Sequence, residues 1–272
     1  MLAPQVNIAL RAARQAGQFI RRAADDVQRI KVEQKGRNDF VSEIDRAAEA
    51  HIIDVLQKAY PDYGILAEES GAQPGKGDDA RWQWIIDPLD GTTNFLHGFP
   101  QFCISIALAC DGKVEHAVVV DPLREEEFTA SRGRGAIMNG RRLRVTQRAG
   151  LEGALIGTGF PFRRDQAQHV EPYLDMMRDI MPLAAGLRRP GAAALDLAWL
   201  AAGRLDGFWE TGLQEWDMAA GCLLITEAGG LVGDFTGGHN HLKNGNLVAG
   251  SPKVFKALLQ KIQPHLTDAL KR

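Results

Sequence analysis

The chain has 272 residues, 45% of them hydrophobic and 24% charged, and its 32 Lys and Arg nearly balance 34 Asp and Glu to a net charge of −2. At about 150 residues per domain this is one large domain or two small ones of ordinary globular composition. Disorder is excluded, and without a basic field there is no strong direct nucleic-acid signal, though a local basic patch stays open.

The first segment, residues 5–30, reads as a long amphipathic helix, with Val6, Ala9, Leu10, Ala13, Ala16 and Ile20 at helical spacing. Its charged residues stand where a signal peptide needs an apolar stretch, and no run reaches the ~18 apolar residues of a membrane span, so a cytoplasmic protein is expected. Lys31 to Asp39 is a polar break. Ser42 then has the character of an N-cap, with Asp45 three residues on, opening a helix to Tyr60. Gly64–Glu68 reads as a short strand, Gly71–Ala80 as a loop, and Trp82–Ile86 as a strand that Pro88 brings to an end. Residues 102–110, 114–121 and 126–131 fit antiparallel strands, and Asn139-Gly140 is a hairpin turn.

Beyond Val145 the pattern alternates: helices at 166–181, 191–202, 215–228 and 252–270, strands at 154–158, 205–210 and 245–249. The expected division is an α+β subdomain over 1–147 and an α/β subdomain over 148–272, with a cleft between them. Cys103, Cys110 and Cys222 each lie in an apolar run with no His or Cys at ligand spacing, as buried thiols of a reduced cytosolic protein do.

The chemistry concentrates in acids at strand ends. Asp87 and Asp90 follow the strand WQWII, and the strand GILAEES brings Glu68 and Glu69 to its end. If the two strands are neighbours, three or four carboxylates converge. Unneutralised, they would repel and force a proton onto one of them. A hard cation is the remedy, and Mg²⁺ takes oxygen ligands alongside substrate phosphate. In the run Asp90-Gly91-Thr92-Thr93-Asn94, Gly91 permits close approach and Thr92 and Thr93 stand at an apparent helix start suited to phosphate. The plainer alternative is a capped helix N-terminus beside solvated acids. Neither a GxSxG elbow nor a Walker loop occurs, which weighs against acyl transfer and P-loop NTPase chemistry.

DPLDGTTNF, with GILAEES before it and EWDMAAG after it, resembles the inositol monophosphatase family of Mg²⁺-dependent, lithium-sensitive phosphatases. The likeness runs through KGRNDFVSEID, FPFRRD, ALDLAWLAAGRLDGFWE, TEAGG and DFTGGHN, and leans towards its bacterial SuhB-type branch. The resemblance implies an α+β fold, a layered αβαβα sandwich of the inositol monophosphatase/fructose-1,6-bisphosphatase type with the site between two subdomains. It implies metal ligation by Glu68, Asp87, Asp90, Asp217 and the Leu89 carbonyl. Thr92, with Glu68, would orient the attacking water, and Asp45 would hydrogen-bond Thr92. Leu89, Asp90, Gly91 and Thr92 would meet the substrate on the phosphate side, and Gly191, Ala192, Ala193, Glu210 and Asp217 on the inositol side. Lys35 would lie in a mobile loop near a third metal. Ala192 departs from the Ser or Thr often found there, which removes a hydroxyl contact and bears on selectivity among sugar and inositol phosphates.

The implied function is hydrolysis of a small phosphate monoester, myo-inositol monophosphate or a related polyol phosphate, by a homodimer. The branch is also associated with ribosomal RNA antitermination through Nus factors and RNA polymerase, so a primarily regulatory role is a second reading. A nucleotide or sugar bisphosphate phosphatase is a third. Among other candidates, His97 and the His239/His241 loop read as exposed or turn residues, and Arg163-Arg164 and Arg188-Arg189 as solvated pairs. Trp216 is either core or cleft wall.

Overall fold

In the computed structural model, residues 2–26, 32–36, 39–161 and 164–271 are described. Helix α1 (Pro4–Ala24) begins with proline in its first turn, where the missing N–H costs nothing. It buries the six expected apolar positions and stops well short of residue 30. The polar break is not a plain loop: β1 (Val32–Gly36) and β2 (Asp39–Ser42) pair antiparallel across it. Lys35, expected in a mobile loop, therefore lies on β1, and its side chain is outside the described residues. Helix α2 (Glu43–Ala59) starts at a full capping box: Ser42 Oγ accepts from the N–H of Asp45, and Asp45 accepts from the Ser42 N–H at 2.9 Å.

An eight-stranded sheet follows. Its strands are β3 (Gly64–Ala67), β4 (Gly71–Gln73), β5 (Trp82–Asp90), β6 (Cys103–Cys110), β7 (Lys113–Asp121), β8 (Glu126–Ser131), β9 (Gly135–Met138) and β10 (Arg141–Arg142), in the order β10-β9-β8-β7-β6-β5-β3-β4. Asn139 and Gly140, with φ of 47° and 79°, make the β9–β10 turn. The segment expected as a loop at 71–80 contains β4 and the start of a 3-10 turn, Gly77–Arg81. Between β5 and β6 lies the short helix α3 (Thr92–Leu96).

The second half supplies β11 (Leu155–Thr158), α4 (Val170–Ile180), β12 (Gly186–Arg188), α5 (Ala193–Ala201), β13 (Gly207–Glu210), α6 (Glu215–Glu227), β14 (Leu231–Gly233), α7 (His241–Asn244), β15 (Leu247–Gly250) and α8 (Pro252–Ile262). Its five strands order as β12-β11-β13-β15-β14. The short strands β12 and β14, three residues each, carry too little alternation to be read from sequence.

Side-chain alternation explains the layering. On β5, Trp84 and Ile86 face α1 and α2, while Ile85 faces the opposite way into a core with α5 and α6. On β13, Phe208 joins that same central core, while Trp209 turns to α4 and α8. Helices α5 and α6 are apolar on nearly all sides, as helices buried between two sheets must be. The result is helices, sheet, helices, sheet, helices: the expected αβαβα sandwich.

Candidate active site

Strands β3 and β5 are parallel neighbours, Ala67 beside Ile86, so Glu68 and Asp87 emerge together at one sheet end. Pro88 does not end β5. Pairing with β6 runs from Asp87↔Ser105 to Asp90↔Cys103 with a bulge between. A proline without an N–H is tolerated in a central strand only at such a bulge. The bulge re-aims the chain, and the Leu89 N–H bonds back to Asp87 Oδ1 at 3.0 Å. Gly91 then turns with φ 95°, where a Cβ would stand 2.8 Å from the Gln101 carbonyl oxygen, so no other residue fits. Asp217 comes from the first turn of α6, where its Oδ2 accepts from the Gln214 N–H at 2.7 Å.

Glu68, Asp87, Asp90 and Asp217 all line a cavity of about 760 Å³ between the two sheets. Thr92 and Asp45 are joined there. The Thr92 hydroxyl lies 2.6 Å from Asp45 Oδ1 and 3.1 Å from the Leu89 carbonyl oxygen. With one proton to give, it donates on the shorter line to the carboxylate. Asp45 is 1% exposed, and its other oxygen is held in the α2 cap by Ser42, so the acceptor cannot swing away. The helix cap read from sequence is thus also the anchor of a site residue.

The electrostatics are unfavourable as they stand. Burial, reinforced by Glu68, Asp90 and Asp217, pushes the Asp87 carboxyl well above the usual carboxylate range. Asp90 is pushed up to about 7 by burial and by Asp217, against the hydrogen bonds it accepts. One of these comes from the Ala194 N–H at 2.7 Å, so Asp90 caps α5 from the other half of the chain. Position 192 is the N-cap of α5, and Ala192 supplies no side-chain bond there. Asp90 does that work in its place. Ala192 is itself fully buried, with its methyl packed towards Gly91.

Comparison with known proteins decides the assignment. The model of the inositol monophosphatase family matches residues 1–267. The chain belongs to the inositol monophosphatase family. It is 60% identical to the Nus factor SuhB of Pseudomonas aeruginosa, over 99% of both chains. The crystal structure of extragenic suppressor protein suhB from Bartonella henselae superposes with a TM-score of 0.91 at 45% identity, covering 96% of this chain and 98% of that one. The inositol monophosphatase of Anabaena matches with a TM-score of 0.83 at 33% identity, over 95% of each. The family supports a phosphatase-type activity and metal dependence in general.

The family is metal-dependent in general, and the oxygen donors lining this cavity are of a kind that would suit a hard cation. They are four carboxylates and the Leu89 carbonyl, oxygen throughout, beside a Cys103 thiol that burial holds firmly protonated. Among the described residues, no three His, Cys, Asp or Glu side chains are drawn together as a ready metal cage. The pKa values of Asp87 and Asp90 are raised by burial first and by the neighbouring carboxylates second, a cost that a bound cation would relieve.

The opposite wall carries Gly191, Ala193 and Glu210 from the second half, as the family resemblance implies, together with residues that the motifs did not single out. Asp196 is 1% exposed, takes a 3.4 Å contact from Gln101 Nε2, and is pushed well up by burial, then by Asp90 and Glu210. Its only sequence signal was an acid on the otherwise apolar α5. Asn94 Nδ2 donates to the Gln101 carbonyl at 2.7 Å and to the Pro190 carbonyl at 2.8 Å, tying α3 to the turn before α5. Glu49, also buried, accepts from the N–H groups of Glu69 and Ser70, both at 2.8 Å, and so fixes the turn that carries Glu68. Arg189, expected as part of a solvated pair, lines the cavity with its guanidinium 5.5 Å over the Phe160 ring. Arg163 is outside the described residues. Trp216 takes the wall position, and exposed His97 stands at the mouth. His241 is buried at the start of α7 rather than lying in an open turn. Cys110 is only half-buried, with Arg81 Nε 3.1 Å from its sulfur, unlike the two core thiols.

Proposed function

We propose that this protein is a Mg²⁺-dependent phosphomonoesterase acting on myo-inositol monophosphate and related polyol phosphates. The observation that carries the reading is the fixed Asp45–Thr92 hydrogen bond at the edge of the Glu68/Asp87/Asp90/Asp217 cluster. Those four acids and the Leu89 carbonyl would hold the metal. Bound there, Mg²⁺ supplies charge neutralisation for the phosphoryl group and acidifies a ligand water.

The rest falls to the chain. Thr92, its hydroxyl hydrogen engaged in the bond to Asp45, presents its oxygen lone pairs to a water, and Glu68 accepts from the same water on the other side. Their joint effect is to aim a lone pair of that water at phosphorus, in line with the leaving oxygen. The first-turn N–H groups of α3, which no intrahelical acceptor satisfies, serve the phosphate oxygens beside Gly91. Glu210 and the backbone at Gly191–Ala193 hold the polyol. Burial of Asp87 and half-burial of Asp90 keep the charge contacts in a medium where they are strong.

The test is phosphate release from a panel of monophosphates with and without Mg²⁺, in wild type and Asp87→Asn. Activity in excess chelator, or full activity of the variant, would refute it. A second reading rests on the relatives named Nus factor SuhB. A transcriptional partner would dock on the outer surface, so the Asp87→Asn protein should retain that role while losing hydrolysis.

A further inference from the structure

We infer that Gly159 is a specificity-determining residue, whose missing side chain makes the notch that holds the Glu210 carboxylate against the substrate cavity. The inference rests on the phosphomonoesterase reading above, with Glu210 as a polyol contact.

Strands β11 and β13 are parallel, with Ile156↔Gly207, Gly157↔Phe208 and Thr158↔Trp209 in register. The next step sets residue 159 beside Glu210, at the carboxyl ends of the two strands. Adjacent strands lie about 4.8 Å apart, and laterally paired residues project to the same face. A side chain at 159 would therefore compete with Glu210 for one space. A Cβ built on Gly159 overlaps Glu210 Cδ and both its carboxylate oxygens, so the carboxylate lies across the glycine itself.

The glycine is not there for its backbone. Gly159 is absent from the positive-φ residues, unlike Gly91 and Gly191, so its conformation suits any amino acid. What it provides is volume. The notch has firm walls: buried Thr158 donates from Oγ1 to the Trp209 carbonyl at 2.8 Å, locking the two strand ends together, and Tyr173 closes on the same hydroxyl at 2.6 Å. Phe160, under Arg189, continues the wall into the cavity. With the strands locked, an added methyl can be accommodated only by moving the flexible carboxylate, outward into the space a polyol ring would use. Residue 159 thereby sets the distance between the polyol contact and the phosphate floor.

The experiment is steady-state kinetics of Gly159→Ala with Mg²⁺ on myo-inositol 1-phosphate and on 4-nitrophenyl phosphate, an aryl ester with no hydroxyl for Glu210. The expected result is a roughly tenfold higher KM for the inositol ester, equivalent to about 1.4 kcal/mol, with kcat for it and kcat/KM for the aryl ester changed less than threefold. Glu210→Ala alone should raise KM similarly, and in that background Gly159→Ala should add nothing. If Gly159→Ala does not fold, the double variant with Glu210→Ala, free of the overlap, should. Equal losses on both esters, additive effects, or a double variant that also fails to fold would overturn the inference. Wild type active on both esters with Gly159→Ala unchanged overturns the role of Gly159 alone. Wild type inactive on both overturns the phosphomonoesterase reading and this inference with it.

Discussion

Asp90→Asn should make the metal-free protein more stable while abolishing its hydrolytic activity. Asp90 is held with its carboxyl at about 7 against an ordinary 3.8, by burial and the nearby Asp217. Ionising it in the folded state therefore costs up to roughly 4 kcal/mol at 1.36 kcal/mol per pH unit. Its outer edge faces the open cavity and is partly screened, so a realised value of about 2 kcal/mol is the better expectation. Because the folded-state pKa lies above the unfolded one, this stability is intact below about pH 4 and is lost as pH rises through about 7. Asparagine keeps an oxygen for the Ala194 N–H, so the cap on α5 survives while the charge goes. The melting temperature of the variant should exceed that of wild type by about 5 °C at pH 8 in chelator, and the gap should close towards pH 4. Added Mg²⁺ should reverse the order at pH 8, stabilising wild type and leaving the variant unmoved. A variant less stable than wild type in chelator at pH 8, or a gap independent of pH, would refute the reasoning.

Thr92→Ala should lower kcat by roughly 10²–10⁴-fold with little change in KM, and Thr92→Ser should keep much of the rate. Asp45→Asn should reproduce part of the Thr92→Ala loss without adding to it in the double variant, as measured by a double-mutant cycle on phosphate release. Excess chelator should remove activity and Mg²⁺ restore it, with Ca²⁺ inhibiting through its looser coordination and Li⁺ inhibiting uncompetitively. Metal titrations against a fixed substrate series will show whether they do. Asn94→Ala removes the bonds to the Gln101 and Pro190 carbonyls and should cost about 1–3 kcal/mol in a denaturant melt, with KM for the inositol ester rising as the turn before α5 loosens. An unchanged melt would deny the staple.

The elements with strong local signals were legible in the sequence. The six apolar positions of α1, the Ser42–Asp45 cap and the Asn139-Gly140 turn each depend on neighbours within a few residues, and each stands where expected. Pro88 misled because the strand rule treats proline as a stop, whereas pairing with β6 carried the strand past it through a bulge. The hairpin at 32–42 lacks an apolar alternation to announce it. Of the site, the acids at strand ends were visible as composition, and their order matched the family. Residues that matter only through a distant partner were not visible. Asn94 reaches Pro190 and Glu49 reaches Glu69 across sequence gaps that no local pattern encodes. Gly159 escaped for a related reason, since an absent side chain has meaning only beside the Glu210 that fills its place.

The two halves are less separable than the change of texture near residue 147 suggests. Helices α5 and α6 belong to the second half, yet they complete the core on the inner face of the first sheet, packing with Ile85, Ala107 and Val119. Without them that sheet would present an apolar face to water. The site follows the same logic. Asp90 sits on the first sheet among the acids lining the cavity, and it also holds the first turn of α5, immediately after the Gly191–Ala193 wall. Any force that draws the Asp90 carboxylate towards a cation acts on the bond to the Ala194 N–H, and through it on the substrate wall. Asn94 opposes that displacement by pinning the Pro190 carbonyl from α3. Under the proposed function, charge neutralisation and polyol positioning would be linked through one carboxylate, with the rigidity of the link set by the central helices shared by both sheets.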